Sequence, residues 1–203
     1  SARRIDINYA LNYLKPRASS SHKGDHGHIV LLGGDYSYGG AILMAAEAAL
    51  RSGAGLVSVI TRSVHRPAII SHRPEIMVSG TEDAGFSRES VNSLLKKASA
   101  LVVGPGMGRG KWSQSLFQSA LSIQMARDIP LVIDADGLHL LADKGGSASK
   151  LKRDNWILTP HPGEASVLLG ISKEEIQQDR FESVSRLQQK WGGACLLKGS
   201  GSL

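Results

Sequence analysis

Short apolar runs and amphipathic stretches alternate along the chain, and the period changes at each glycine or proline corner. GHIVLLGGD (27–35) is a compact apolar run closed by a glycine pair, as expected of a buried parallel strand leading into a loop. GGAILMAAEAALRSG (39–53) then sets Ile42, Leu43, Ala46, Ala49 and Leu50 on one helical stripe and stops at Gly53. GLVSVIT (55–61) and EIMVSG (75–80) read as further strands, followed by a helical stretch around 87–97. ALVV (100–103) then delivers Gly104-Pro105-Gly106-Met107-Gly108, and residues 112–126 are amphipathic. PLVIDADGLHLLA (130–142) and WILTPHPGEASVLLG (156–170) each repeat the rhythm of strand, polar corner and helix. A capping-box pair, Ser172 and Glu175, opens a long helix predicted to run to Gly192, and ACLLKGSGSL (194–203) forms a last strand with a Gly/Ser-rich end. Strands alternating with helices predict an α/β protein with a mainly parallel central sheet covered on both faces. The loops GGA, GPGMG, DAD and TPHPGE would then emerge along one sheet edge.

Composition narrows the class. With 203 residues, 41% hydrophobic and 21% charged, the chain is long enough for one domain with a substantial core. Twenty-three glycines against 5% aromatics suit a glycine-turned α/β protein better than an aromatic-rich β-sandwich. The single Cys195 excludes an internal disulfide framework, fits a reducing compartment and, within its apolar run, reads as core. No run of about 18 apolar residues occurs and no apolar segment follows Arg3-Arg4. Neither a membrane span nor a secretory signal is therefore indicated, and a cytoplasmic location follows as the default. The net charge of +6 is spread without a dense basic run or interleaved aromatics, which favours anionic small molecules over nucleic acid as partners. Residues 1–20 read as an arm or interdomain linker and residues 21–203 as the folded domain.

Candidate chemistry gathers at the corners. In TPHPGE the prolines fix φ at a strand-to-helix turn, where open α/β sheets bind ligands, so His161 and Glu164 are site candidates. The plainer alternative places Glu164 in a first helical turn for its favourable dipole interaction alone. Gly39-Gly40-Ala41 leaves small side chains at a helix N-terminus, which suits an anion. Asp134 and Asp136 are positioned to hold a metal or a hydroxyl, or Asp136 to cap the next helix. Lys198-Gly199-Ser200-Gly201-Ser202 offers a lysine and backbone donors to phosphate. GGDYSYGG lacks the spacing of a dinucleotide fingerprint, and Thr61 stands where a ribose-binding acid would be expected, while KGSGS is no Walker loop.

Taken in order, SHKGDHGHIVLLGGD, GGA…AALRSGAGLV, VVGPGMG, DADGLHLLA, TPHPGEA and LLKGSGSL resemble the ADP- or ATP-dependent NAD(P)H-hydrate dehydratases, members of the ribokinase-like superfamily. The resemblance covers Ser21 to Leu203 and implies a three-layer α/β/α ribokinase-like fold, truncated at its C-terminal end. It also implies a repair reaction that dehydrates the S-epimer of NADHX or NADPHX while consuming ADP or ATP with Mg²⁺. By motif, Ala41, Gly106 or Gly108, and His161 match positions that contact the hydrated nucleotide, and Lys198, Gly199, Ser200, Gly201 and Ser202 match the adenine-nucleotide segment. Glu164 matches a glutamate tied to Mg²⁺ through water. His161 replaces the Asn of the Asn-x-x-Glu motif found in the superfamily's sugar kinases, which argues against an ordinary sugar kinase. The family's Gly-x-Gly-Asp motif, with its anion hole and catalytic aspartate, is expected beyond Leu203, so this stretch alone is expected not to turn over. Residues before Ser21 resemble a linker to an N-terminal NAD(P)HX epimerase domain, and the family suggests a homotetramer. Alternative readings are a vitamin-precursor or sugar kinase of the same superfamily, and a non-catalytic nucleotide-binding module.

Overall fold

The computed structural model describes residues 5–13, 16–83, 87–144 and 151–203, so the Arg3-Arg4 pair lies outside the described residues. Seven parallel strands form one sheet: β1 (His28–Leu32), β2 (Leu56–Thr61), β3 (Met77–Gly80), β4 (Ala100–Val103), β5 (Leu131–Ile133), β6 (Trp156–Leu158) and β7 (Ala194–Cys195). Their order is β3-β2-β1-β4-β5-β6-β7. The described helices are α1 (Ile7–Leu11), α2 (Gly39–Arg51), α3 (Arg66–His72), α4 (Arg88–Leu95), α5 (Lys111–Arg127), α6 (Asp136–Ala142), α7 (Pro162–Leu169), α8 (Lys173–Gln178) and α9 (Arg180–Trp191).

The apolar strand runs are explained by burial on both sides. Side chains alternate across a strand, so Leu31 of β1 packs with Val57, Val59, Ile42, Ala46 and Ile69 in one cluster, beneath α2 and α3. Val30 and Leu32 pack into the larger cluster on the other face, with Leu101, Val103, Leu95 and Phe117. Fully burying a side chain of this size contributes about 1.5–3 kcal/mol, which makes the doubly buried β1 the spine of the sheet. Trp156 ties β6 to the end of α9 by donating its indole N–H to the Trp191 carbonyl at 3.1 Å. Ile157, between buried Trp156 and Leu158, is 43% exposed on the opposite face.

Three expectations change in the folded chain. The long helix expected from Ser172 to Gly192 is two helices, because Asp179 leaves helical geometry (φ −140°, ψ 92°) and its carboxylate accepts the Glu182 N–H at 2.9 Å. An aspartate in that position caps a new helix better than it continues the old one. Helix α3 is additional, a seven-residue segment with Pro67 in its first turn. The final strand is shorter than expected: Leu196 and Lys198 donate to Leu158 and Pro160 of the β6 line, but Leu197 turns away to pair with Leu203. Among the described residues, no helix is long and apolar enough to cross a membrane. Cys195 is half-buried and burial raises its thiol to about pKa 11, which suits the packing role expected for it.

Candidate active site

The direction of winding reverses beside β1. From β1 the chain passes through α2 to β2 on one side, whereas β4 leads through α5 to β5 on the other. Loops that diverge in this way open a crevice at the C-terminal strand edge, where open α/β sheets bind ligands. Here the crevice is stitched: Gly34 and Asp35 donate to the carbonyls of Pro105 and Gly106 at 3.0 and 2.6 Å. Gly106 has φ +59°, and a Cβ on it would come 2.6 Å from the Tyr38 carbonyl and 3.1 Å from the Ala41 Cβ. The absence of that side chain is what lets the GPGMG loop lie against the start of α2. Ala41 and Gly106, far apart in sequence, thus form one wall.

Gly108 lies at the other end of this loop, where its N–H donates to Asp136 Oδ2 at 2.8 Å. The alternative of Asp136 as an N-cap does not hold, since Ala135 occupies the cap position and Asp136 is the first helical residue. Its carboxylate fixes the glycine loop. Thr61, standing where a ribose-binding acid would be expected, has a related duty: its hydroxyl donates to the Gly34 carbonyl at 2.9 Å and holds the β1 loop to β2.

A second group of polar residues lies across the ends of β5, β6 and β7, one to three strand spacings from β4, or roughly 5–15 Å. His161 is the N-cap of α7, and its Nδ1 accepts the N–H groups of Gly163 and Glu164 at 3.0 and 3.2 Å. Glu164 answers through Oε2, which accepts the His161 N–H at 2.7 Å, completing a capping box with histidine in the place usually taken by serine or threonine. Because Nδ1 accepts, a neutral imidazole carries its proton on Nε2, on a side chain that is 55% exposed. Glu164 is only 5% exposed and sits in the first turn of α7, as the plainer reading expects.

Lys198 closes the group. Its ammonium is 2.6 Å from Asp134 Oδ1 and 3.7 Å from Glu164 Oε2, and Asp134 Oδ1 also accepts the Thr159 hydroxyl at 2.8 Å. One cation therefore serves two carboxylates from different strand ends. Beside it, His161, Pro162, Gly163, Lys173, Gln177, Arg180, Gly199 and Ser200 line an open cleft of about 490 Å³ with no acidic residue in its wall. The structure thus joins His161 with the Lys198 to Ser202 segment, while Ala41, Gly106 and Gly108 gather beside it at the ends of β1 and β4. Among the described residues no group of three or more His, Cys, Asp or Glu is arranged to hold a metal ion.

Sequence reasoning missed Arg180 and Arg62. Arg180 sits one residue after the break between α8 and α9, and Asp179 followed three positions later by Glu182 is the signal that would have exposed that break. Arg62, at the end of β2, pairs with Asp35 and Glu82 at 2.8 and 2.6 Å, and its guanidinium lies 4.4 and 4.1 Å from the ring centroids of Tyr36 and Trp112. Burial opposes ionisation of Glu82, but bonds from Arg62, Ser63 and Thr81 outweigh it and pull the carboxyl to about pKa 2. A carboxyl so lowered stabilises the fold above its ordinary value of 4.5 and loses that contribution as pH falls towards 2. Solvent screening tempers the size, since Glu82 is 37% exposed. Glu82→Gln is accordingly expected to melt below wild type at pH 6, with the gap narrowing by pH 3. A gap that stays constant in thermal melts across that range contradicts the assignment.

An all-parallel sheet with this order, and the solved structures that share it, place the chain among the ribokinase-like α/β proteins. The solved structure of a ribokinase-like superfamily protein from Enterococcus faecalis superposes with a TM-score of 0.79 at 29% identity, covering 92% of this chain and 62% of that one. An ADP/ATP-dependent NAD(P)H-hydrate dehydratase from Bacillus subtilis, co-crystallised with ATP and Mg²⁺, gives 0.75 at 25% identity over 97% of this chain and 66% of that one. The family model for NAD(P)H-hydrate dehydratase matches residues 29–203, and the chain belongs to that family. It is 48% identical over 190 residues to a bifunctional NAD(P)H-hydrate repair enzyme of Coxiella burnetii, covering 94% of this chain and 36% of that protein. It is 39% identical over 167 residues to an ADP-dependent (S)-NAD(P)H-hydrate dehydratase of Streptococcus pneumoniae, covering 82% of this chain and 55% of that protein. The chain thus spans about a third of the bifunctional relatives' length.

Proposed function

We propose that this chain forms the hydrate and nucleotide surfaces of a dehydratase that returns the S-epimer of NADHX or NADPHX to NADH or NADPH with consumption of ADP or ATP. What chiefly supports this is the presence of two unlike surfaces on one sheet edge. The GPGMG loop packed on Ala41 offers backbone and small side chains to the hydrate, and the cleft lined by His161, Lys173, Arg180, Gly199 and Ser200, with Lys198 beside it, suits phosphate. Hydroxide leaves carbon poorly. Transfer of a terminal phosphoryl group to the hydrate's hydroxyl oxygen, with AMP leaving when ADP is the donor, makes a phosphate that departs readily as the ring loses a proton. Positioning and charge neutralisation carry such a transfer.

In this reading His161, whose Nε2 lies 3.3 Å from Glu164 Oε1, borders the hydrate with the exposed edge of its ring, Lys198 meets the transferring phosphate, and the following loop holds the nucleotide. Mg²⁺ is usually held by one or two carboxylates, substrate phosphates and water, so a three-residue cluster is not required. The donor set fits that arrangement: Glu164 has Oε2 engaged by backbone and lies within 3.7 Å of Lys198, which leaves it an indirect role through water. Bound there, the ion would neutralise phosphate charge. A cytoplasmic homo-oligomer, joined in a longer protein to an NAD(P)HX epimerase domain, completes the proposal.

Product analysis tests it. NADHX and ADP are supplied to this chain and to a longer polypeptide containing it. The expected result is NADH, AMP and phosphate in equal amounts from the longer polypeptide. A stable phosphorylated product without NADH would instead indicate a kinase.

A further inference from the structure

The loop Lys198 to Ser202 is held in shape by a residue outside it. At its base, Leu197 and Leu203 exchange backbone hydrogen bonds at 2.9 and 3.2 Å. Two of its carbonyls and the one before it are taken: Arg180 Nη2 donates to the carbonyls of Leu197 and Gly201 at 3.2 and 3.1 Å, and the Ser202 hydroxyl donates to the Gly199 carbonyl at 3.4 Å. Four of its N–H groups are not. The N–H groups of Gly199, Ser200, Gly201 and Ser202 meet no protein acceptor among the described residues. Gln177 Oε1 accepts from Arg180 Nη1 at 3.1 Å and orients the guanidinium, which packs so closely on Gly199 that a Cβ there would come 2.7 Å from Nη1.

We propose that Arg180 is the positioning residue of this loop: by bonding its inward carbonyls it turns the backbone into a surface of donors for the phosphates of an adenine nucleotide. The inference rests on the nucleotide reading above and adds the residue that shapes the site. Successive unpartnered N–H groups form an anion-binding concavity only while the backbone keeps its conformation. A planar fork that reaches two carbonyls and a side-chain amide at once can fix that conformation, whereas a lysine ammonium on a flexible stem cannot reproduce it.

The test compares wild type, Arg180→Met and Arg180→Lys by calorimetric titration with ADP, pyrophosphate and NADPH, each variant also being melted without ligand. Arg180→Met is expected to weaken ADP and pyrophosphate about tenfold while leaving NADPH binding at the Ala41 and Gly106 crevice unchanged. Arg180→Lys keeps the charge and loses the fork, so it is expected to fall with Arg180→Met. Wild-type ADP affinity in either variant overturns the proposal: in Arg180→Met the residue is idle, and in Arg180→Lys charge alone suffices. Wild-type protein that binds pyrophosphate but not ADP sinks the nucleotide reading and leaves the loop to be judged on pyrophosphate. Wild-type protein that binds neither overturns both.

Discussion

Gly104→Ala is expected to lower the melting temperature by roughly 5–10 °C, the shift that about 3 kcal/mol produces in a domain of this size. Three backbone segments meet at that residue. Gly104 donates its N–H to the Leu32 carbonyl at 3.1 Å, Asp134 donates to Val103 at 3.1 Å, and Gly137 donates to Asp134 at 3.0 Å. A Cβ on Gly104 would lie 1.8 Å from the Asp134 carbonyl oxygen and 2.7 Å from the Gly137 nitrogen, at a φ of +119°. The partners are backbone atoms in the centre of the sheet edge, so no side chain can swing aside. Residues forced into such backbone regions cost about 1–3 kcal/mol, and overpacking adds a similar amount. Hydrate binding should weaken too, because relief of the clash pushes the GPGMG loop away from Ala41. Gly40→Ala is the matched control, since a Cβ there meets nothing within 4 Å. Equal melting temperatures for the two variants, measured by circular dichroism, would contradict the packing described.

Lys198→Met is expected to weaken ADP binding at least tenfold, or about 1.4 kcal/mol. The ammonium is the cation shared by Asp134 and Glu164, at 2.6 and 3.7 Å. Its removal deletes a charge-assisted contact to phosphate, worth about 1.5–3 kcal/mol, and also leaves two carboxylates facing an anion without a counter-charge. Lys198→Arg keeps the charge and is expected to recover part of the affinity, while Asp134→Asn together with Lys198→Met should bind better than Lys198→Met alone. Titration calorimetry checks both statements. Unaltered ADP affinity in Lys198→Met would place the nucleotide elsewhere.

Much of this arrangement was legible in the order of residues because it depends on local rules. GHIVLLGGD and ALVVGPGMG are apolar runs ended by glycine, as strands buried on both faces of a parallel sheet are, and both lie in the core. TPHPGE announced a rigid corner, and His161 and Glu164 do meet there in a capping box. What stayed hidden depends on partners distant in sequence. Nothing near Arg180 signals the carbonyls of Leu197 and Gly201, and nothing near Asp136 signals the Gly108 N–H, 28 residues away. Lys198 reads as a phosphate ligand, yet its bond to Asp134 spans 64 positions and emerges only when β5, β6 and β7 lie side by side. The break at Asp179 was a local signal overlooked, since apolar periodicity on both sides masked the Asp and Glu pair that restarts the helix.

A crystal structure of this protein grown with ADP and NADPH, the latter standing in for the hydrate, tests most directly whether the two ligands lie side by side on these two surfaces. ADP phosphate oxygens are expected within hydrogen-bonding distance of the Gly199 to Ser202 N–H groups and of Lys198, and the NADPH pyridine ring against Ala41 and Gly106. ADP phosphates bound at the GPGMG crevice, with the Lys198 to Ser202 loop contacting neither ligand, would contradict this placement.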